Sequence, residues 1–222
     1  MPKVAQPRRF TGLSPDDRRR ERLTLLLDAA FELLGTHGWR AMTVRSVLVG
    51  ARLNPRYFYE SFSDLDELAV AVYDRVVAEL GAAVWEALGS AADDPATQVR
   101  AVVASIVQFV DEDRRRGRVL YAEGLGNEAL NRRRVETAGM VVAFVNDYAT
   151  ESRGQAVDEM GRVATSVLVG GFNQLLVDWL AGRIRIGRDR LVEDAAALFL
   201  ALGDGAAAAA GRRSSGSASP MT

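Results

Sequence analysis

Arg45, Arg52, Arg56, Tyr57 and Tyr59 lie within one short stretch, TVRSVLVGARLNPRYFYESF, residues 43–62. Guanidinium groups bind phosphate and can take guanine O6 and N7 as a pair; phenols donate to phosphate or pack on a thymine methyl. Thr43, opening a helix, can offer its hydroxyl and backbone N–H to a phosphate. Arg45 can reach a guanine edge from the same turn, and Arg56 from the exposed first turn of the following helix. The alternative for Arg56 is an i,i+4 pair with Glu60, and the two roles are compatible. The alternative for each tyrosine is core packing. Phe58 and Phe62, spaced i and i+4, already supply the inward positions, which leaves Tyr57 and Tyr59 on the flanks.

The elements that must hold these groups are helices. A first helix over residues 15–35 carries the stripe Leu23, Leu26, Leu27, Ala30, Leu33 and Leu34. Gly35 and Gly38 end it, with His37 between them suited to a helix C-terminus. Thr43 caps a second helix whose inward face is Val44, Val47, Leu48 and Ala51. The turn Arg52-Leu53-Asn54 follows. Asn54 suits an N-cap and Pro55 the first helical position of a third helix, residues 55–62. Two short helices joined by a tight turn form a helix-turn-helix, whose second helix enters the major groove of DNA.

Composition excludes several alternatives. The 222 residues are 48% hydrophobic and 26% charged, with no Cys and one His. No disulfide framework, thiolate nucleophile or Cys-ligated metal is available, and a His-based acid–base or metal site is disfavoured. Acidic clusters at residues 111–113 and 158–159 sit at helix ends without an organised ligand set. We expect no catalytic residues, metal or cofactor. The net charge of −1 hides an asymmetry: residues 1–62 carry 11 Lys/Arg against 6 Asp/Glu, the remainder 17 against 23. A basic head on an acidic body directs the head towards a polyanion. The N-terminus is polar and lacks the apolar core of a signal peptide. The longest apolar stretch, residues 163–181, contains Asn173, Gln174 and Asp178 and reads as a buried helix rather than a membrane span. A cytoplasmic protein without membrane contact is expected.

Strand periodicity is almost absent, so the fold expected is all-α with about nine helices. Ser63 is expected to cap a fourth helix reaching residue 88. Further helices follow over residues 95–113, 119–123, 128–150, 156–182 and 188–202, with a break at 114–117. The domains are a DNA-binding head, 15–62, and a helical body, 63–204. Residues 1–14 and 205–222 are expected to be disordered. Of three arginine runs, only residues 18–20 lie in the head; 114–116 and 132–134 read as solvated faces or turn edges.

The arrangement of Thr43 and Arg45, then Asn54-Pro55-Arg56-Tyr57-Phe58-Tyr59, Phe62 and an acidic helix start resembles the TetR family of bacterial repressors, over residues 18–77. The resemblance implies a dimer with a three-helix DNA head and a divergent ligand-binding body. It implies DNA contacts at Thr43, Arg45, Pro55, Arg56, Tyr57 and Tyr59, with Tyr59 at the phosphate-touching position. Arg52 replaces the usual glycine before the turn and could add a phosphate contact; Asn54 completes the set. The chain departs from the family at Glu60-Ser61, where an aromatic and a His are common. Glu60 repels phosphate unless Arg56 neutralises it.

In the body, the resemblance implies an effector pocket with apolar walls and a few polar groups. The residues assigned to it are Trp85, Phe109, Tyr121, Phe144, Tyr148, Phe172 and Asn173; Trp179 and Gln174 share those helices. Gly170-Gly171 permits close approach of a helix or ligand. The leading function is a dimeric repressor on a palindromic, double-stranded DNA operator, paired through the last two helices (residues 156–202) and released by a small, largely apolar molecule. The alternatives are a ligand-independent DNA-binding regulator of the same fold and a small all-helical enzyme.

Overall fold

Capping side chains decide where this chain breaks into helices. The computed structural model describes residues 14–154 and 156–216. Helix α1 (Pro15–His37) begins at Ser14, whose side chain forms a reciprocal capping box with Asp17. It ends at Gly38, where φ is 83° and the N–H donates to the carbonyls of Leu33 and Leu34. Gly35 therefore lies inside the helix rather than at its end. Its role is contact: a Cβ there would sit 2.5 Å from Cβ of Arg115. A 3-10 turn (Trp39–Ala41) leads to α2 (Val44–Ala51), capped by Thr43 with Ser46 reciprocating.

Helix α3 (Pro55–Tyr59) starts as expected at Asn54 and Pro55, but it is shorter than residues 55–62. The chain must leave helical geometry early, because Asp64 is extended at φ −155° to cap the next helix. Asp64, not Ser63, is that cap. It accepts the Glu67 N–H at 2.9 Å, while Ser63 donates its backbone N–H and hydroxyl to the Glu67 carboxylate at 2.7 and 2.8 Å. Helix α4 (Leu65–Ser90) then runs from head to body.

The body comprises α5 (Pro95–Glu112), α6 (Arg114–Gly117), α7 (Glu128–Arg153), α8 (Glu159–Leu180) and α9 (Arg188–Gly216). The expected break at 114–117 is a helical turn. It passes without interruption into a π turn (Arg118–Ala122) and a 3-10 turn (Glu123–Gly126). Helix α9 corrects the expected end at residue 202: the alanines at 206–210 are the strongest helix formers and carry it to Gly216. Residues 1–13 and 217–222 of the expected disordered ends lie outside the described residues.

The described residues form no strand, and the fold is all-α with an N-terminal three-helix head. One apolar cluster joins head to body. It runs from Leu26, Leu34, Val47 and Phe58 through Leu68, Val72 and Val76 on α4 to Val107, Leu176 and Leu191. Helix α8 is long and apolar enough to cross a membrane by length and composition alone; here it packs against α7 and α9.

Candidate nucleic-acid interface

The groove between α2 and α3 opens to solvent and is lined by Val44, Arg45, Leu48, Val49, Leu53, Pro55 and Tyr59, with a volume of about 480 Å³. Local sequence builds its rim. The Thr43 hydroxyl accepts the Ser46 N–H at 3.0 Å and donates to Ser46 Oγ at 3.0 Å. The Asn54 side chain accepts the Arg56 N–H at 3.2 Å. Thr43, Asn54 and Pro55 thus fix the turn, and their polar atoms are engaged in capping it.

The reaching groups surround this frame. Arg45, Arg52 and Arg56 are exposed, and Tyr59 is 64% exposed. Among the described residues neither Arg45 nor Arg52 is ion-paired. Arg52 is the described non-glycine residue with positive φ (54°, ψ 41°), in the left-handed geometry that closes α2. Glycine adopts that geometry freely and a side chain costs about 1 kcal/mol there.

Two positions differ from a uniform contact surface. Tyr57 is half-buried, not exposed like Tyr59: the Arg22 guanidinium of α1 lies 4.5 Å from its ring centre. Glu60 is held by Arg56 at 2.7 Å and faces Arg22 at 3.9 Å. The acidic departure is therefore neutralised within the head, from α1 as well as from α3. Arg22 was invisible to sequence reasoning because its partners lie on α3, across the head.

The body residues do not gather into one place. Trp85 (58% exposed) meets Phe144 edge-on, Phe144 meets Tyr148 at a tilt, and the Tyr148 hydroxyl donates to Gln98 Oε1 at 3.0 Å. Phe109 is buried under the Arg116 guanidinium, 4.3 Å from its ring centre. Tyr121 lies in the π turn, and burial pushes its phenol and that of Tyr73 up. Phe172 is buried against Phe199 of α9, with Asn173 half-buried beside it.

The run 114–116 forms the single turn of α6, and its side chains reach out to partners rather than lying free on a solvated face. Arg115 binds Asp113 and Glu32, Arg116 donates to the Phe109 carbonyl, and Arg114 donates to the Leu180 carbonyl. In the run 132–134, Arg133 pairs with Asp74 at 2.6 Å and so ties α7 to α4.

Residues 26–72 match the model of the bacterial regulatory proteins of the tetR family. No curated protein matches the chain by sequence. Among solved structures, the fatty acid degradation regulator FadR from Bacillus halodurans superposes with a TM-score of 0.66 at 14% identity, over 86% of this chain and 97% of that one. A TetR-like transcriptional regulator from Rhodococcus sp. RHA1 superposes at 0.63 with 20% identity, over 86% and 96%. The multidrug binding protein EbrR, complexed with imidazole, superposes at 0.57 with 21% identity, over 82% and 94%. The head thus matches the TetR family of DNA-binding transcriptional regulators by sequence, and along its length the chain shares the fold of TetR-like regulators.

Proposed function

We propose that this regulator is a dimeric cytoplasmic repressor that binds a palindromic operator and is released by a small, largely apolar effector. The observation that carries the DNA reading is the rim of Arg45, Arg52 and Arg56 with Tyr59 around the α2–α3 groove, on a head whose acidic residue Glu60 is already paired. Arg45 and Tyr59 are the base-edge and phosphate contacts, Arg52 and Arg56 bind phosphate, and Tyr57 orients Arg22 against Glu60. Thr43, Asn54 and Pro55 present backbone at the rim.

Dimerisation is supported by apolar residues left open on the last two helices. Val163 (55% exposed) and Val167 on α8 are open, as are Leu198 and Leu202 on α9. An apolar cavity of about 250 Å³ lies there, lined by Met160, Val163, Ala164, Val167, Leu202, Gly205 and Ala206. A Cβ at Gly170 or Gly171 would meet nothing within 4 Å, which leaves room for a partner helix. Two heads on one dimer read half-sites about 34–36 Å apart. An effector held by the body aromatics tilts α4 and changes that spacing; release requires that it bind the non-binding spacing more tightly.

A second reading, a ligand-independent regulator of the same fold, is favoured by the dispersal of those aromatics into separate places. A gel-shift titration on DNA upstream of the gene and its neighbours, repeated with apolar compounds, tests both. A specific shift that a compound abolishes supports the repressor. A specific shift that none alters supports the second reading, and no specific shift rejects both.

A further inference from the structure

Among the polar contacts between head and body, one joins the end of α1 to the π turn through a linked pair of side chains. Arg118 opens the π turn, and its Nη1 donates to the Thr36 carbonyl at 2.6 Å, one of the unsatisfied acceptors at the end of α1. Its Nε donates to Glu123 Oε1 at 2.6 Å. The other oxygen of Glu123 accepts the Trp39 backbone N–H at 2.7 Å. A guanidinium at a helix C-terminus and a carboxylate at the start of the next turn match the partial charges at both ends. Glu123 is nearly buried, its side chain 12% exposed, so its two bonds are shielded from water.

Two glycines bring the elements this close. Gly38, at φ 83°, has the Arg118 and Glu123 side chains within 3.0 Å of where a Cβ would sit. Gly35 lies against Arg115, which also pairs with Glu32 of α1. On the body side, Gly117 lies against Leu180, the last residue of α8. Tyr121, assigned above to the effector site, sits within the π turn that separates Arg118 from Glu123. π turns are uncommon and concentrate at functional sites.

We propose that Arg118 and Glu123 are positioning residues. Together they set the angle of the DNA-binding head relative to the body, and the π turn between them is the part through which a change at Tyr121 alters that angle. The proposal deepens the repressor reading, and the first measurement below stands apart from it.

The chain has no cysteine, so two introduced thiols carry spin labels without background. Labels at Asp16→Cys on the head and Glu151→Cys on the body, on a minority of protomers, report the intrachain distance by pulsed electron resonance. The parent protein is expected to give one narrow distribution and Glu123→Ala a broad one. Glu123→Gln keeps an acceptor for Trp39 but loses the negative charge that faces Arg118. It is expected to fall between them, and it stands in if the alanine variant does not fold. Operator affinity is expected to fall at least tenfold in Glu123→Ala. It should fall no further in the double variant Arg118→Met, Glu123→Ala, since the two residues act as one unit. A narrow distribution in both Glu123 variants overturns the clamp. A broad distribution with unchanged operator affinity overturns its role in positioning the head. Failure of the parent to bind any upstream DNA rejects the repressor reading, while the distance measurement still decides the clamp.

Discussion

The head and the body of this regulator carry their chemistry in opposite ways. In the head, the groups that reach outward belong to one stretch of sequence, Arg45 to Tyr59, and each is aimed by a cap or turn a few residues away. In the body, the groups able to meet a small molecule come from α4, α5, α7, α8 and the π turn. They are aimed by neighbours far along the chain, as Tyr148 is by Gln98 and Phe172 by Phe199. A site made of local geometry survives great sequence change around it. A site made of tertiary contacts does not, which fits a family model that matches residues 26–72 and not the rest.

The sharpest way to break this contrast is Arg45→Ala. The side chain is exposed and unpaired, so the melting temperature should stay unchanged. Loss of a bidentate guanine contact costs about 1–3 kcal/mol per head, so operator affinity should fall on the order of a hundredfold for a dimer. Unchanged affinity by gel shift would remove Arg45 from the contact set and the head's claim to locality with it.

Leu198→Asp probes the body in the same spirit. Leu198 is 64% exposed on α9, so a lone protomer should tolerate the aspartate. A charge placed within an apolar interface should shift the protein to monomer at micromolar concentration, read by light scattering. A dimer that persists would move the interface off α9.

Arg52→Gly pits stability against binding within one residue. Relief of the left-handed arginine should stabilise the fold by about 0.5–1 kcal/mol. Loss of one phosphate contact per head should weaken DNA binding a few-fold and lower the salt slope by about 1 for each. Denaturant melts and a salt series measure the two sides.

The smallest effect concerns Asp113, whose carboxyl is held below the usual carboxylate range by hydrogen bonding to Arg115. A depressed folded value stabilises the protein above the ordinary carboxylate pKa, and that stability is lost as pH falls through the folded value. Asp113→Asn should therefore lower the melting temperature slightly near pH 7, with the difference closing in acid. A difference independent of pH would assign the effect to the cap of α6 alone.

How much of this was legible in the sequence follows the same division. The Leu26, Ala30, Leu34 stripe, the Asn54-Pro55 start and the inward pair Phe58 and Phe62 are periodic or positional signals, and all three of those stripe residues and Phe58 are fully buried. The exchange of Ser63 for Asp64 as a cap was not legible. Both residues suit the role, and a backbone angle selects between them. The distant partners of Arg114, Arg115 and Arg118 were not legible, because a charge run carries no sign of them. Those partners, Glu32, Thr36 and Leu180, lie more than sixty positions away. The aromatics of the body were legible as residue types and not as neighbours.

The π turn at Arg118–Ala122 has a consequence for chain length. An α-helix advances about 100° per residue, so removal of one residue from this turn would swing everything after it by roughly that angle. Glu123 would then face away from Trp39, and Asn127, which donates to Asp66 at 2.6 Å, would lose its seat beside α4. Exposed Ala122 can change its identity, but the stretch cannot change its count. Insertions and deletions, ordinarily the cheapest changes at an irregular connection, should be as damaging here as in the middle of a core helix.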